Sequence, residues 1–203
     1  MTSIDLVLFD IGGVLGSNGW DREQRAAAVE RFGLDGEDFQ YRHEETAGAL
    51  EAGMISLDEY LNVTVFCEKR SFTRDEFKEF MFSQSEPWPE SIDVVRDLAA
   101  HGAVELATLN NESAELNEYR IAHFGLLSIF PTFFSSCWIG VRKPTLAIYQ
   151  RVLGMTQADP ERTLFVDDRK QNLAPAAGLG VKTIQFQNAT QLRTDLRSHG
   201  LLD

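Results

Sequence analysis

The sequence predicts an α/β fold in which a parallel sheet carries helices on both faces and an all-helical segment is inserted after the first strand. Three observations predict it. Short apolar runs rich in strand-forming residues alternate with helical patterns along most of the chain. That alternation is interrupted once, between residues 16 and 86, where only helix starts are found. The chain has 203 residues, 43% of them hydrophobic, which is enough apolar material for a sizeable core.

The first predicted strand is the run 4–9, which is apolar and stops at Asp10 before the turn-forming pair Gly12-Gly13. Similar runs predict further strands, with the second ending at Thr108. The predicted ranges are 103–108, 162–166 and 182–186, with a weaker candidate at 131–135.

Helical spacing of apolar residues separates these strands. Pro89 is a favoured first helical residue, and Gly102 is a natural cap after the last turn. Later helices are each expected to end at a glycine in the same way. The predicted helices cover 89–101, 112–124, 145–153 and 190–199.

The inserted segment carries two capping boxes, Ser56 with Glu59 and Thr73 with Glu76, each opening an amphipathic run. Its exit contains two prolines within 87–89, which forbid a continuous helix. We therefore expect an α/β core domain of residues 1–15 and 87–203, and a helical domain of residues 16–86. Phe66, Phe77 and Phe80 are expected in the core of the helical domain, and Glu44, Glu45 and Glu51 on its solvated face.

Charge and composition exclude several classes of protein. The formal net charge is −12 and the pI is about 4.8, so the chain lacks the basic surface that binds nucleic acid or an anionic membrane. The two cysteines form no C-x-x-C pair, and the four histidines show no ligand spacing. No apolar run is long enough to span a membrane, and no signal peptide is evident. These features favour a cytoplasmic protein; they do not indicate an oligomeric state.

Chemistry-bearing residues follow the predicted strands, where an open parallel sheet binds ligands. Asp10 follows the first strand, Thr108 ends the second, and Asp167-Asp168 follow the fourth, while Lys143 lies beyond the weak strand. Three clustered carboxylates without histidine or cysteine favour a hard cation such as Mg²⁺. An ammonium and a hydroxyl suit the oxygens of a phosphoryl group. Glycine spacing fits neither a dinucleotide fingerprint nor a Walker motif.

Four motifs of this chain resemble those of the haloacid dehalogenase superfamily and occur in the family's order. They are F-D-I-G-G-V-L around Asp10, E-L-A-T ending in Thr108, V-R-K-P with Lys143, and F-V-D-D-R-K-Q-N with Asp167-Asp168. The resemblance spans nearly the whole chain. It implies a Rossmann-like core with a helical cap and phosphatase chemistry on a small phosphorylated metabolite.

The same resemblance implies roles for individual residues. Asp10 would be the nucleophile and a Mg²⁺ ligand, together with Asp168 and the backbone carbonyl of Gly12. Asp167 would lie in the outer shell of the metal or orient Lys143. Thr108 and Lys143 would hold the phosphate, and Asn172 would support the loop after the fourth strand.

The sequence departs from the family pattern at Gly12. Most phosphatases of this family have a second aspartate two residues after the nucleophile, which protonates the leaving group and then activates water. General acid/base assistance is worth roughly 10²–10⁴-fold, a small part of the enhancement for phosphate-monoester hydrolysis. A weaker phosphatase is therefore the leading expectation. The alternatives are a regulatory protein that binds phosphate and metal without turnover, and a metal-independent 2-haloacid dehalogenase.

Overall fold

The computed structural model describes residues 3–203 and shows a five-stranded parallel sheet in the order β3-β2-β1-β4-β5. The first strand along the chain lies at the centre of the sheet, with the second strand on one side and the fourth on the other. The predicted α/β class is confirmed. The strands are β1 (Leu6–Phe9), β2 (Glu105–Asn110), β3 (Thr132–Ser135), β4 (Thr163–Asp167) and β5 (Lys182–Gln185).

Ten α-helices are found within residues 3–203. They are α1 (Arg22–Phe32), α2 (Gly36–Glu51), α3 (Leu57–Thr64), α4 (Arg74–Ser83), α5 (Pro89–His101), α6 (Ala114–His123), α7 (Ser136–Ile139), α8 (Leu146–Thr156), α9 (Lys170–Gly178) and α10 (Ala189–Ser198), with short 3₁₀ turns at Leu126–Ser128 and Pro160–Arg162.

Helices cover both faces of the sheet because alternate strand residues point to opposite sides. Val7 and Phe9 of β1 belong to one buried cluster with residues of α5 and α10. Leu6 and Leu8 belong to a second cluster with residues of α8 and α9. Apolar residues therefore pack on both sides of the central strands, and three acids gather where β1 and β4 end.

The inserted helices α1 to α4 pack around a third, aromatic cluster that includes Trp20, Tyr60 and Phe77. Both predicted capping boxes are present, at the starts of α3 and α4. The chain enters and leaves this segment side by side, since the Ser17 amide donates to the Glu86 carbonyl at 2.8 Å. We propose on this ground that residues 16–86 form a cap domain and that residues 1–15 and 87–203 form the core.

Several predicted boundaries are wrong. The predicted starts at residues 4, 103 and 112 lie two residues before Leu6, Glu105 and Ala114. The strand predicted to end at Thr108 continues to Asn110, because Leu109 and Asn110 pair with Phe134 and Ser135 of β3. The helix predicted to end at Gly154 continues to Thr156, and the left-handed residue that follows it is Gln157. Helices α7 and α9 have no counterpart among the predicted helices, and α9 contains Pro175.

No helix among residues 3–203 has both the length and the apolar character needed to cross a membrane. Cys67 and Cys137 are free thiols.

Gly16 sits where the chain crosses between the two parts, and it has no room for a side chain. A Cβ at this position would lie 2.5 Å from the Glu86 carbonyl oxygen and 2.5 Å from the Phe124 ring. We expect Gly16→Ala to lower the free energy of unfolding by about 1–3 kcal/mol, the usual range for overpacking. Thermal or urea unfolding measures it.

Gly154→Ala is the matched control, because Gly154 is an exposed residue within α8 and an added Cβ there meets no atom within 4 Å. In this variant the free energy of unfolding should rise by about 0.5–1 kcal/mol, because alanine favours a helix more than glycine does. Equal effects of the two substitutions would show that the crossing at Gly16 is looser than described.

Candidate active site

Asp10 is positioned by the central strand. It directly follows β1, and its amide donates to the Val166 carbonyl of β4 at 2.9 Å, which extends the ladder by one residue. Its Oδ1 accepts a hydrogen bond from the Ile11 amide at 2.8 Å. The second carboxylate oxygen, Oδ2, remains for other partners. The residue is buried, with 7% of its surface exposed.

Lys143 lies between two carboxylates. Its Nζ is 2.9 Å from Oδ2 of Asp10 and 2.7 Å from Oδ2 of Asp167. The Asn111 side chain forms two hydrogen bonds with the Lys143 backbone: it accepts from the amide and donates to the carbonyl, each at 2.9 Å. The lysine is therefore held at its backbone as well as at its ammonium group.

Asp167 ends β4 and is completely buried. Besides Lys143, its carboxylate accepts from the Arg169 amide at 2.8 Å and from Nδ2 of Asn172 at 3.0 and 3.1 Å. Four donated contacts satisfy this buried charge and fix its orientation. Asn172 thus contacts the carboxylate that orients Lys143.

Asp168 completes a group of three acids. Asp10, Asp167 and Asp168 each offer a carboxylate oxygen, and these atoms all lie within 4.8 Å of one another. Oδ1 of Asp168 is buried and has no hydrogen-bond partner within residues 3–203. Gly13 approaches it so closely that a Cβ there would lie 2.5 Å from Asp168 Oδ2. An unpaired buried carboxylate oxygen beside two other acids fits a hard divalent cation.

The pKa values of Asp10, Asp168 and Lys143 are shifted by burial and by neighbouring charges. Burial raises the pKa of Asp10 to about 7; the Lys143 ammonium opposes that shift and Asp167 adds to it. Burial lowers the pKa of Lys143, but the two carboxylates outweigh this effect and leave it above its usual value. Burial and the Asp167 charge also raise the pKa of Asp168. A bound cation would favour the ionised form of all three acids.

Asp10 opens into a cavity of about 250 Å³ between the sheet edge and the inserted helices. Its lining is mostly polar and comes from both parts of the chain. The residues that line it include Asp10, Gly12, Asn18, Asp21, Arg25, His43, Glu51, Asn111, Glu112, Arg120, Arg142, Lys143 and Arg169.

Of the residues predicted from sequence, Asp10, Lys143, Asp167 and Asp168 lie together, and Gly12 lies in the cavity wall. Thr108 does not line the cavity. It pairs with Phe9, one residue before Asp10, and it is fully buried. Its hydroxyl has no hydrogen-bond partner in the described part of the chain. Asn111, beyond the true end of β2, lines the cavity in its place.

Sequence reasoning missed several cavity residues. Glu51 was expected on a solvated face, but it lies in the cavity wall with a carboxylate oxygen 2.9 Å from Nε of Arg142. His43 also lines the cavity and contacts the Tyr60 hydroxyl at 2.9 Å. Glu112 and Arg120 form a buried ion pair at 3.1 Å. The only sequence signal for Glu112 and Arg120 is their place in the helix predicted over 112–124, which Glu112 begins and which contains Arg120.

Comparison with known proteins identifies the family. The sequence model of one protein family, described as haloacid dehalogenase-like hydrolase, matches residues 4–180. This range includes every site residue named above. The chain belongs to the haloacid dehalogenase-like hydrolase family. The resemblance stated from the sequence motifs is thereby confirmed.

Curated relatives of this haloacid dehalogenase-like hydrolase include proteins named as a phosphatase and as a nucleotide hydrolase. D-ribitol-5-phosphate phosphatase of Bacteroides thetaiotaomicron is 25% identical over 208 residues, covering 94% of this chain and 95% of that protein. Flavin mononucleotide hydrolase 1 of Arabidopsis thaliana is 30% identical over 153 residues, covering 74% of this chain and 60% of that protein. Another curated relative is matched over 53% of its length, so the chain spans little more than half of some of its relatives.

Solved structures confirm the fold. A family enzyme from Bacteroides thetaiotaomicron, crystallised with magnesium and inorganic phosphate, superposes with a TM-score of 0.76. The two chains are 20% identical, and the match covers 94% of this chain and 99% of the other.

The hydroxyl of Thr108 allows a direct test of its predicted role. Because the hydroxyl is buried and unpaired, Thr108→Val should keep or raise the free energy of unfolding, since an unsatisfied buried polar group costs roughly 1–3 kcal/mol. We expect hydrolase activity to stay within about threefold of wild type, too small a change for the loss of a transition-state hydrogen bond.

Asn111→Ala is the contrasting variant. It releases the Lys143 backbone, and small displacements of a positioning group cost on the order of 100-fold in rate. A loss of that size in Thr108→Val instead would place its hydroxyl on the phosphate, as the sequence motif predicted.

Proposed function

We propose that this hydrolase cleaves phosphomonoesters of small polar molecules in a Mg²⁺-dependent reaction that uses Asp10 as nucleophile. The observation that supports it most strongly is the contact of one buried ammonium with two carboxylates, beside a third acid whose oxygen is unpaired. Carboxylates alone would not attract a phosphate. Lys143 supplies the positive charge that a phosphoryl group requires.

In this proposal, Oδ2 of Asp10 attacks phosphorus and the ester oxygen leaves on the opposite side, so that an aspartyl-phosphate forms and is then hydrolysed by water. Oδ1 of Asp10 accepts from the Ile11 amide, whereas Oδ2 contacts Lys143 at 2.9 Å and becomes free to react when Lys143 turns to the phosphoryl group. Lys143 exchanges one carboxylate contact for a phosphoryl oxygen and stabilises the charge that develops there. Asp167 keeps the ammonium in place through its own contact at 2.7 Å.

The residues fit a magnesium ion. Asp10, Asp168 and the backbone carbonyl of Gly12 would hold it, and Asp167 would act from outside the ligand shell, because its carboxylate already accepts four donated contacts. When bound, Mg²⁺ supplies charge neutralisation for the phosphoryl oxygens and for the clustered acids. Metal-bound relatives with this fold support the choice of ion.

The cavity indicates the class of substrate. Its volume of about 250 Å³ suits a small molecule, and arginine, histidine, asparagine and glutamate side chains suit a ligand rich in hydroxyl groups. The two curated relatives described above are named as a D-ribitol-5-phosphate phosphatase and a flavin mononucleotide hydrolase, and the first of these names specifies a polyol phosphate. We propose a primary-alcohol phosphate of a small polyol or sugar.

A second candidate function follows from Gly12. Without the usual acid/base aspartate, the site could bind phosphate and metal with little turnover and serve as a regulatory module. The intact nucleophile, lysine and acid cluster favour an enzyme, and the two functions differ in a measurable way.

The direct test is release of phosphate from ribitol 5-phosphate, glycerol 3-phosphate and p-nitrophenyl phosphate, with Mg²⁺ and with a chelator, for wild type and Asp10→Asn. We expect turnover that requires Mg²⁺ and falls by at least about 10³-fold in the variant, as for loss of a nucleophile.

Asp5→Asn is the matched control, because Asp5 is an exposed acid whose partner is Arg162, far from the cavity. Binding of inorganic phosphate without turnover in wild type would establish the regulatory module. Turnover that persists with chelator, on a 2-chloroalkanoate and not on any phosphate, would establish a dehalogenase.

A further inference from the structure

The space beside Gly12 is occupied by a buried ion pair. A Cβ at Gly12 would lie 3.6 Å from Nη1 of Arg120, and that same nitrogen lies 3.1 Å from Oε2 of Glu112. A carboxylate therefore stands across a single guanidinium group from the position where the acid/base side chain is missing. Both side chains line the cavity that holds Asp10.

Hydrogen bonds hold both the side chain and the backbone amide of Glu112. Its Oε1 accepts from the Ser113 amide at 2.9 Å, and its own amide donates to the Ser136 hydroxyl at 3.1 Å. Ser136 in turn donates to the Glu51 carbonyl in the cap. Arg120 also donates to the Ser17 carbonyl in the loop after Gly12. These contacts tie the carboxylate to both parts of the cavity wall.

We infer that Glu112 is the general acid and base of this hydrolase, replacing the aspartate that Gly12 lacks. The inference rests on the proposed function. The P–O bond to the leaving alcohol breaks as Asp10 attacks, and the alcohol oxygen takes the proton of Glu112. Water then attacks the aspartyl-phosphate, its proton passes to Glu112, and the Asp10–phosphorus bond breaks to release phosphate.

The environment of Glu112 suits both halves of this cycle. Burial raises the pKa of Glu112 to about 7, although the Arg120 charge opposes the shift and Glu51 adds to it. An acid of that pKa is present in both protonation states near neutral pH, which general acid/base catalysis requires. The proposed polyol phosphates need such an acid, because an alkoxide is a poor leaving group.

The test compares two substrates that differ in their need for a proton. In Glu112→Gln, kcat/KM for ribitol 5-phosphate should fall by about 100-fold or more, the usual contribution of a general acid. For p-nitrophenyl phosphate, whose leaving group departs as a stable anion, the first step should change by less than about threefold, measured as the burst of p-nitrophenol. A structural role would lower both rates equally.

Asp5→Asn is again the matched control, because Asp5 is an exposed acid whose partner is Arg162, far from the cavity. Its kcat/KM values for both substrates should equal those of wild type. If Glu112→Gln does not fold, Glu112→Asp keeps the charge and shortens the acid by one methylene, and the same selective loss is expected.

Adding Gly12→Asp to Glu112→Gln should restore hydrolysis of ribitol 5-phosphate by at least about tenfold. The tightest neighbour of the new side chain is the exposed Asn18, whose Oδ1 would lie 3.3 Å from the Cβ and is free to shift. Equal losses on both substrates in Glu112→Gln, or no loss on either, would overturn the inference. Wild-type enzyme without turnover on either substrate would overturn the proposed function itself.

Discussion

The site depends on one interaction, the burial of the Lys143 ammonium between Asp10 and Asp167. The lysine side chain is 1% exposed and that of Asp167 is not exposed at all. Removing one partner of such a pair leaves an uncompensated buried charge, at a cost of about 3–5 kcal/mol. The ends of β1 and β4 and the loop before α8 are therefore joined by the groups that would perform the chemistry.

The inserted helices contribute the other wall of the cavity. Arg25 of α1, a buried residue, donates to the Trp20 carbonyl, and Glu51 at the end of α2 pairs with Arg142 from the core. The loop that leaves β1 also carries Gly12 and Ser17, which contact or approach Arg120 of α6. Substrate selection and proton transfer would thus depend on groups that only tertiary structure brings to the nucleophile.

Sequence patterns predicted the sheet because each strand is a short apolar run that ends at a polar or turn-forming residue. They placed the end of β2 at Thr108, two residues early, because nothing local shows that Asn110 pairs with Ser135 of β3. They identified Asp10, Lys143 and the Asp167-Asp168 pair because each stands beside a recognisable strand or turn. They missed Glu112 because its relation to Gly12 passes through Arg120, eight positions further along the chain and on the buried side of α6.

The central claim is that Asp10 carries the phosphoryl group during turnover. Mass spectrometry of peptides from enzyme quenched in acid during steady-state hydrolysis of p-nitrophenyl phosphate tests it most directly. We expect a phosphoryl group on the peptide that contains Asp10, and none in Asp10→Asn. Steady turnover with that peptide unmodified, or a phosphoryl group found on another residue, would contradict the account.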